Sequence, residues 1–524
     1  MRRILYILAL AAIGLTASAQ ETFRNPVMWA DVPDPDVIRV GDDFYLVSTT
    51  MHLMPGGPVM HSKDLVNWET VSYLFDTLDD TPKYDMKDGT VYGRGQWATS
   101  LRYHNGTFYA LFSPNDHPYR SYIYKTDDPA KGWTLNSRLP HFHDSSLFFD
   151  DDGRVYVFSG QGRLNELTAD LTAMKEGGID TTVIERDTEE TGLLEGSRVI
   201  KHDGKYYLIM ISWPKDKPRR QVCYRADSIT GPYEKKVILE DDFAGFPYVG
   251  QGTVVDDAHG NWYGFIFQDR GAIGRVPTLM PCRWIDGWPM LGDANGRIPL
   301  DMEKPVHGYQ DIPLVVSDGF DSDALKINWQ WNHKPINGAW SLTERPGWLR
   351  LKTSRTADNI YTAPNTISQR MEGPTCSAYI EMDISKMKDG DRAGLAAFNG
   401  HSGILGVERD GKKTWLTVKH TLVNMTDAEH KITSVDCTET ARVNLKGKRV
   451  FLRIDGNFNR GHDIATFHYS TDGKRWTAIG GEFNMKFDFT RFFMGTRYAI
   501  FNYATKDAGG YVDINKFEYS KSAK

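Results

Sequence analysis

Asp34 stands between Pro33 and Pro35, just ahead of a run ending in Phe44 and Tyr45, where a hydrophobic side chain would pack at lower cost. Asp144 and Glu195 hold comparable places at the heads of DSSLFFDDDGRVYVF (144–158) and EGSRVIKHDGKYYLIM (195–210). Twelve residues back from Tyr109, Tyr156, Tyr207 and Tyr263 lie Trp97, Asp144, Glu195 and Gln251, and eleven back from Tyr45 lies Asp34. Five residues thus share one register, and three of them are carboxylic acids. Three carboxyl groups facing one pocket repel one another and are penalised by desolvation. Such a cluster binds a metal or does acid and base work with its pKa values pushed apart.

A metal cage is the weaker reading, because Trp97 and Gln251 share the register and an aromatic wall does not ligate Ca²⁺. A tryptophan beside carboxylates suits a sugar ring, which offers an apolar face for stacking and hydroxyls for hydrogen bonds. Glycoside hydrolysis requires two carboxyl groups flanking the scissile bond, one protonated and one ionised, with wide separation giving inversion and close separation retention. Taken singly, Asp34 reads equally well as a turn residue and Asp144 as a cap. Glu195 has less structural excuse, since the adjoining Gly196 suggests close approach of backbone or ligand.

The elements that would carry these residues repeat. PDPDVIRVGDDFYLV (33–47), WATSLRYHNGTFYALF (97–112), 144–158, 195–210 and QGTVVDDAHGNWYGFIF (251–267) are each an extended run, a Gly-containing turn and an aromatic-rich second strand. The turns and the flanking alternation are those of β-hairpins. Outer-strand turn signals lie between them, in SKDLVNW (62–68), TDDPAKGW (126–133) and ADSITGPYE (226–234), and helical periodicity is nearly absent. The pattern predicts an all-β fold whose first domain, residues 20–305, is a five-bladed β-propeller. The first strand of each blade lines the central channel, so the five register residues converge on one mouth.

At this point the chain resembles glycoside hydrolase family 43. NPVMWADVPDPDVIRVGDDFYLV (25–47) is similar to the family's opening blade, and the resemblance implies that Asp34 is the general base. HDSSLFFDDDGRVY (143–156) resembles the third-blade motif, making Asp144 the residue that orients the acid and tunes its pKa. LLEGSRVIKHDGKYYL (193–208) resembles the fourth-blade motif, making Glu195 the general acid. GRVPTLMPCRWIDGWP (274–289) resembles the last-blade segment, whose arginine, here Arg275, reaches the sugar that is cleaved off. With Trp97 and Gln251 this makes three expected substrate-binding residues. The implied activity is that of an inverting enzyme which needs no cofactor for catalysis and removes arabinofuranosyl or xylosyl units, or cuts arabinan chains. Two departures stand out. Gln251 occupies a hub position that is often histidine, near a central Ca²⁺ or water network, which argues against a hub metal. Thr99 replaces the proline of the usual W-A-P.

From about residue 300 the pattern changes. Residues 306–315 read as a linker, and 316–524 as short alternating strands, such as SAYIEMDI (377–384) and VFLRIDGNF (450–458), which suggest a β-sandwich. WQWNHKP (329–335) and GDRAGLAAFNG (390–400) resemble the concanavalin-A-like domain appended to β-xylosidase-type members of the family, in which a sandwich loop lends an aromatic to the pocket edge. Asp318, Asp321 and Asp513 are candidates for a structural Ca²⁺.

A net charge of −6 argues against nucleic acid or anionic membrane as the partner. Arg2 and Arg3, the apolar run 4–15 and Ala17-Ser18-Ala19 read as a signal peptide over 1–19, so the chain is expected to be exported, periplasmic or secreted. No apolar stretch reaches the roughly 18 residues of a membrane span. Cys223, Cys282, Cys376 and Cys437 lack metal-site spacing and read as packing residues. The expected substrate is an arabinose- or xylose-containing oligosaccharide from plant cell walls, cut from its end. An endo-acting arabinanase and a non-catalytic sugar-binding propeller are the alternatives.

Overall fold

The computed structural model describes residues 21–247, 249–426 and 430–522. The signal peptide expected over 1–19 lies outside them.

Five four-stranded antiparallel sheets follow one another in chain order. Their first strands are Asp36–Val40, Ser100–His104, Ser146–Phe149, Leu193–His202 and Val249–Asp256. Each first strand touches the next, and the fifth touches the first, which closes the ring and makes the fold a five-bladed propeller. The tyrosines that set the register lie on the second strands and pair with Ile38, Arg102, Phe148, Ile200 and Val255. Glu195 and Gln251 precede or begin irregular pairing: the register slips between Glu195 and Arg198, and between Val249 and Gly252. Such bulges re-aim side chains at the end of a strand. Asp34 and Asp144 take a different route to the same mouth, each held in left-handed backbone conformation, φ 52° and 43°, just before its strand.

One layer below the mouth, two residues before each tyrosine partner, come Asp36, Ser100, Ser146, Arg198 and Thr253, all buried. Three of them bind the neighbouring blade. Asp36 Oδ2 accepts from the Leu101 N–H at 2.9 Å, Ser100 Oγ from Leu147 at 3.0 Å and Ser146 Oγ from Val199 at 3.1 Å. First strands expose one edge of backbone donors to the hub, and these side chains satisfy them where water is excluded.

Apart from a two-stranded sheet that joins Thr22–Arg24 to Asp301–Glu303, the remaining strands form two packed sheets of eight and seven strands around an apolar core that includes Leu395, Val407, Leu452, Ile500 and Ile514. The sandwich borrows one strand from the propeller. Leu53–Met54, from blade one, pairs with Gln330–Asn332 and is the last strand of the eight-stranded sheet. Beside it the interface is partly aromatic, with Tyr92 stacked on Phe492 at 4.0 Å and His52 and His333 packed against Tyr92, each at 4.6 Å, and partly polar, with Arg370 donating to the Asp31 carbonyl at 3.0 Å. Burial holds both histidines uncharged, with His333 driven down to about 3.

Cys223, Cys282 and Cys376 are buried, but Cys437 is exposed, contrary to expectation. It lies on Ile432–Asn444, the strand at the other edge of the eight-stranded sheet, most of whose residues are exposed.

Candidate active site

Asp34 is buried yet strongly partnered. Its Oδ2 accepts from Thr49 Oγ1 at 2.6 Å, and Arg275 Nη1 donates to Oδ1 at 3.0 Å and Oδ2 at 3.2 Å. Arg275 is fixed in turn by Asp31, whose Oδ1 accepts its backbone N–H at 2.7 Å. A carboxylate clamped by a guanidinium and a hydroxyl is held in one orientation, which a general base requires.

Asp144 and Glu195 meet on His143, a residue for which the sequence reading had no role. His143 Nε2 lies 3.1 Å from Glu195 Oε2 and 3.9 Å from Asp144 Oδ2. The Asp144 charge, with help from Glu195, raises the His143 pKa to about 9, so it is an imidazolium at neutral pH. Burial pushes Asp144 upward, reinforced by the charges of Glu195 and Asp34, while His143 opposes the rise. The three residues present donor atoms within 4.8 Å of one another, the spacing of metal ligands. An imidazolium must give up its proton before it can offer a lone pair to an ion.

Gln251 was expected on the substrate but is turned into the hub. It is 4 % exposed, and with its amide turned so that the oxygen faces Arg198, that oxygen accepts from both terminal guanidinium nitrogens at 3.2 Å. Arg198 is fully buried on the propeller axis. It donates to the carbonyls of Ser197 at 2.9 Å, Asp34 and Thr99 at 3.2 Å each, and Ser145 at 3.5 Å. With Gln251 these partners come from all five blades, and Asp36 lies 3.5 Å from Arg198 Nε. The hub therefore does not fit the calcium that the resemblance raised. A guanidinium already binds the inward-facing oxygens, and a second cation beside it would be repelled. The sandwich aspartates are likewise committed. Asp513 binds Arg345 and Arg350 at 2.7–2.9 Å, and Asp318 binds Trp329 Nε1 at 2.9 Å. Asp321 is exposed.

Trp97 lies at the rim, its indole N–H donating to the Gly93 carbonyl at 3.0 Å. Thr99, in place of proline, accepts at 2.6 Å from Gln96, whose amide also donates to the Trp97 carbonyl. Phe493 from the sandwich packs edge to face against Trp97, ring centres 5.8 Å apart at 63°. Its carbonyl accepts from Arg275 Nη2 at 3.0 Å, and the Arg275 guanidinium lies 4.3 Å from its ring centre. Phe493 supplies the aromatic that the resemblance led us to expect from a sandwich loop. Only its fold-level contact identifies it, since 218 residues separate it from Arg275.

A propeller mouth with an arginine-clamped aspartate, an acid–imidazole cluster and two aromatic rings packed edge to face offers the carboxyl groups and apolar surface that glycoside hydrolysis calls for. Residues 23–289 match the family described as Glycosyl hydrolases family 43, and 317–520 match the Beta xylosidase C-terminal Concanavalin A-like domain. The chain is 30 % identical to a beta-xylosidase of Formosa agariphila, over 95 % of this chain and 90 % of that one. It is also 30 % identical to the non-reducing end alpha-L-arabinofuranosidase BoGH43B of Bacteroides ovatus, over 84 % and 87 %. Among solved structures, a bifunctional GH43-CE protein of Bacteroides eggerthii superposes with a TM-score of 0.88 at 40 % identity, over 97 % of this chain and 64 % of that chain. The protein belongs to glycoside hydrolase family 43 and is a glycosidase.

Proposed function

We propose that the protein is an exported, exo-acting, inverting glycosidase that releases α-L-arabinofuranosyl or β-D-xylosyl units from plant cell-wall oligosaccharides. Asp34 deprotonates the attacking water, Glu195 protonates the departing oxygen, and Asp144 holds the proton balance of Glu195 through His143. Arg275 orients Asp34 and contacts the sugar, Trp97 forms a stacking wall, and Gln251 supports the hub through Arg198. The observation that carries the exo reading is Phe493. A ring from the second domain, packed edge to face against Trp97 and tied to Arg275 through its backbone carbonyl, walls one side of the mouth, as a site for a chain end requires. The β-xylosidase and arabinofuranosidase names of the relatives support the two sugars, and the pattern of residues 1–19 supports export.

Initial rates on aryl α-L-arabinofuranoside and aryl β-D-xyloside, with NMR of the first-formed anomer, test this. Turnover of one of them with inverted product, lost in Asp34→Asn, is expected. Turnover of internally linked arabinan alone, or a retained anomer, would overturn it.

A further inference from the structure

A line of rings leaves the site on the side of Glu195. His143, hydrogen-bonded to that acid, lies 5.7 Å from Trp97 and 6.5 Å from His141, the two imidazoles nearly parallel at 22°. His141 lies 5.7 Å from Tyr119 at 89°, and Tyr119 lies 4.5 Å from His117. Exposure grows along the line, from partly buried Trp97, His143 and His141 to exposed Tyr119 and His117.

Tyr119 is 39 % exposed, yet its backbone is held left-handed at φ 50°. Such a conformation is unfavourable for a bulky residue and persists only where its surroundings impose it. Here they do. Asp116, buried and paired with Lys83 at 3.0 Å, accepts the His117 N–H through its side chain and the Tyr119 N–H through its carbonyl, both at 2.8 Å. The loop is braced from inside while its ring faces solvent. A rigid aromatic surface of this kind binds a flat apolar face at low entropic cost.

We infer that His143, His141, Tyr119 and His117 form the leaving-group subsites, a ribbon on which successive pyranose rings of the departing chain stack. This rests on the proposed role of Glu195 as the acid, because the acid marks the side from which the leaving group departs. The substrate class is therefore a terminal pentosyl unit on a chain of several pyranoses rather than on a small alcohol. Hydrolysis breaks the bond between the anomeric carbon and the glycosidic oxygen. That oxygen takes the Glu195 proton, and water supplies the new hydroxyl after losing a proton to Asp34.

The test compares three substrates with the same terminal sugar: the glycosyl fluoride, whose leaving group is one atom, a disaccharide and a tetrasaccharide. Wild type is expected to favour tetrasaccharide over disaccharide in kcat/KM. In Tyr119→Ala and His141→Ala that preference falls about tenfold, the equivalent of roughly 1.4 kcal/mol. Tyr119→Phe, which keeps the ring, retains the preference. A wild-type preference within about twofold of unity (~0.4 kcal/mol), or alanine variants that keep the wild-type preference, would overturn the ribbon while leaving the glycosidase intact. Wild type that hydrolyses neither the fluorides nor the oligosaccharides of either sugar would overturn the proposed function, and the ribbon with it.

Discussion

Replacing Arg198 by methionine removes a buried guanidinium while keeping much of its volume. Swapping a whole buried ion pair for apolar groups is often neutral, but here only one partner goes. The carbonyls of Asp34, Thr99 and Ser145 and the amide of Gln251 stay behind, together with the Asp36 carboxylate, which keeps Arg102 at 2.7 Å. Each orphaned buried acceptor costs about 1–3 kcal/mol, and losses within one network overlap, so about 4 kcal/mol is a reasonable total. For a unit of this size each kcal/mol lowers Tm by about 2–4 °C, which places the propeller transition of Arg198→Met about 8–16 °C below wild type. Arg198→Lys should fall between, because an ammonium has three donors on one atom and cannot reach all five blades. Calorimetry with and without a chelator is the assay. The chelator should leave the wild-type transition in place, since the hub carries its own cation. A drop of less than about 3 °C in the methionine variant, or a wild-type transition that the chelator lowers, would refute the reasoning.

Other consequences are equally direct. Asp144→Asn removes the largest influence raising His143. His143 should then lose its proton at lower pH, so the basic limb of kcat/KM moves toward acid; an unmoved limb assigns Asp144 a purely structural part. Glu195→Gln should depress turnover of oligosaccharides at least about 100-fold more than that of glycosyl fluorides, whose leaving group needs little protonation. Equal losses would remove Glu195 from the acid role. Phe493→Ala forfeits a desolvated cation–π contact worth up to about 2 kcal/mol, so kcat/KM should fall about 10- to 30-fold with the propeller still folded. His52 and His333 have depressed pKa values when folded. The unfolded chain therefore binds more protons once pH drops below about 6.5, and stability is lost from there downward until the folded values are reached, by at most about 1.4 kcal/mol per pH unit per histidine. A Tm flat between pH 7 and pH 4.5 would contradict this account of the interface.

The blades were legible because their signals are local. HNGT at 104–107 and HDGK at 202–205 dictate tight hairpins, and each pairs across its turn as the alternation requires. The mouth was legible through register, although a constant count of twelve conceals two mechanisms: a left-handed residue before the strand at Asp144 and a bulge after Glu195. The second polar layer was within reach, since Asp36, Ser100, Ser146, Arg198 and Thr253 recur two residues before the tyrosine partners. That spacing becomes visible only when strands are aligned on their pairing rather than on their ends. Phe493 had no such signal. Its role depends on how two domains dock, which no local pattern encodes. His143 and Gln251 show the opposite limit, where neighbours in the chain were clear and the direction of a side chain was not.

Leu53–Met54 is chain from the first domain doing the work of a strand in the second. Cut between the domains, the sandwich would present Gln330–Asn332 as a bare edge, open to pairing with any other chain. The two halves are therefore one heritable unit. Recombination among relatives can exchange the loops around the mouth, but a crossover in the linker would join a sheet to a strand it was not selected to hold. Diversity in this architecture should accumulate at the rim and leave the seam alone.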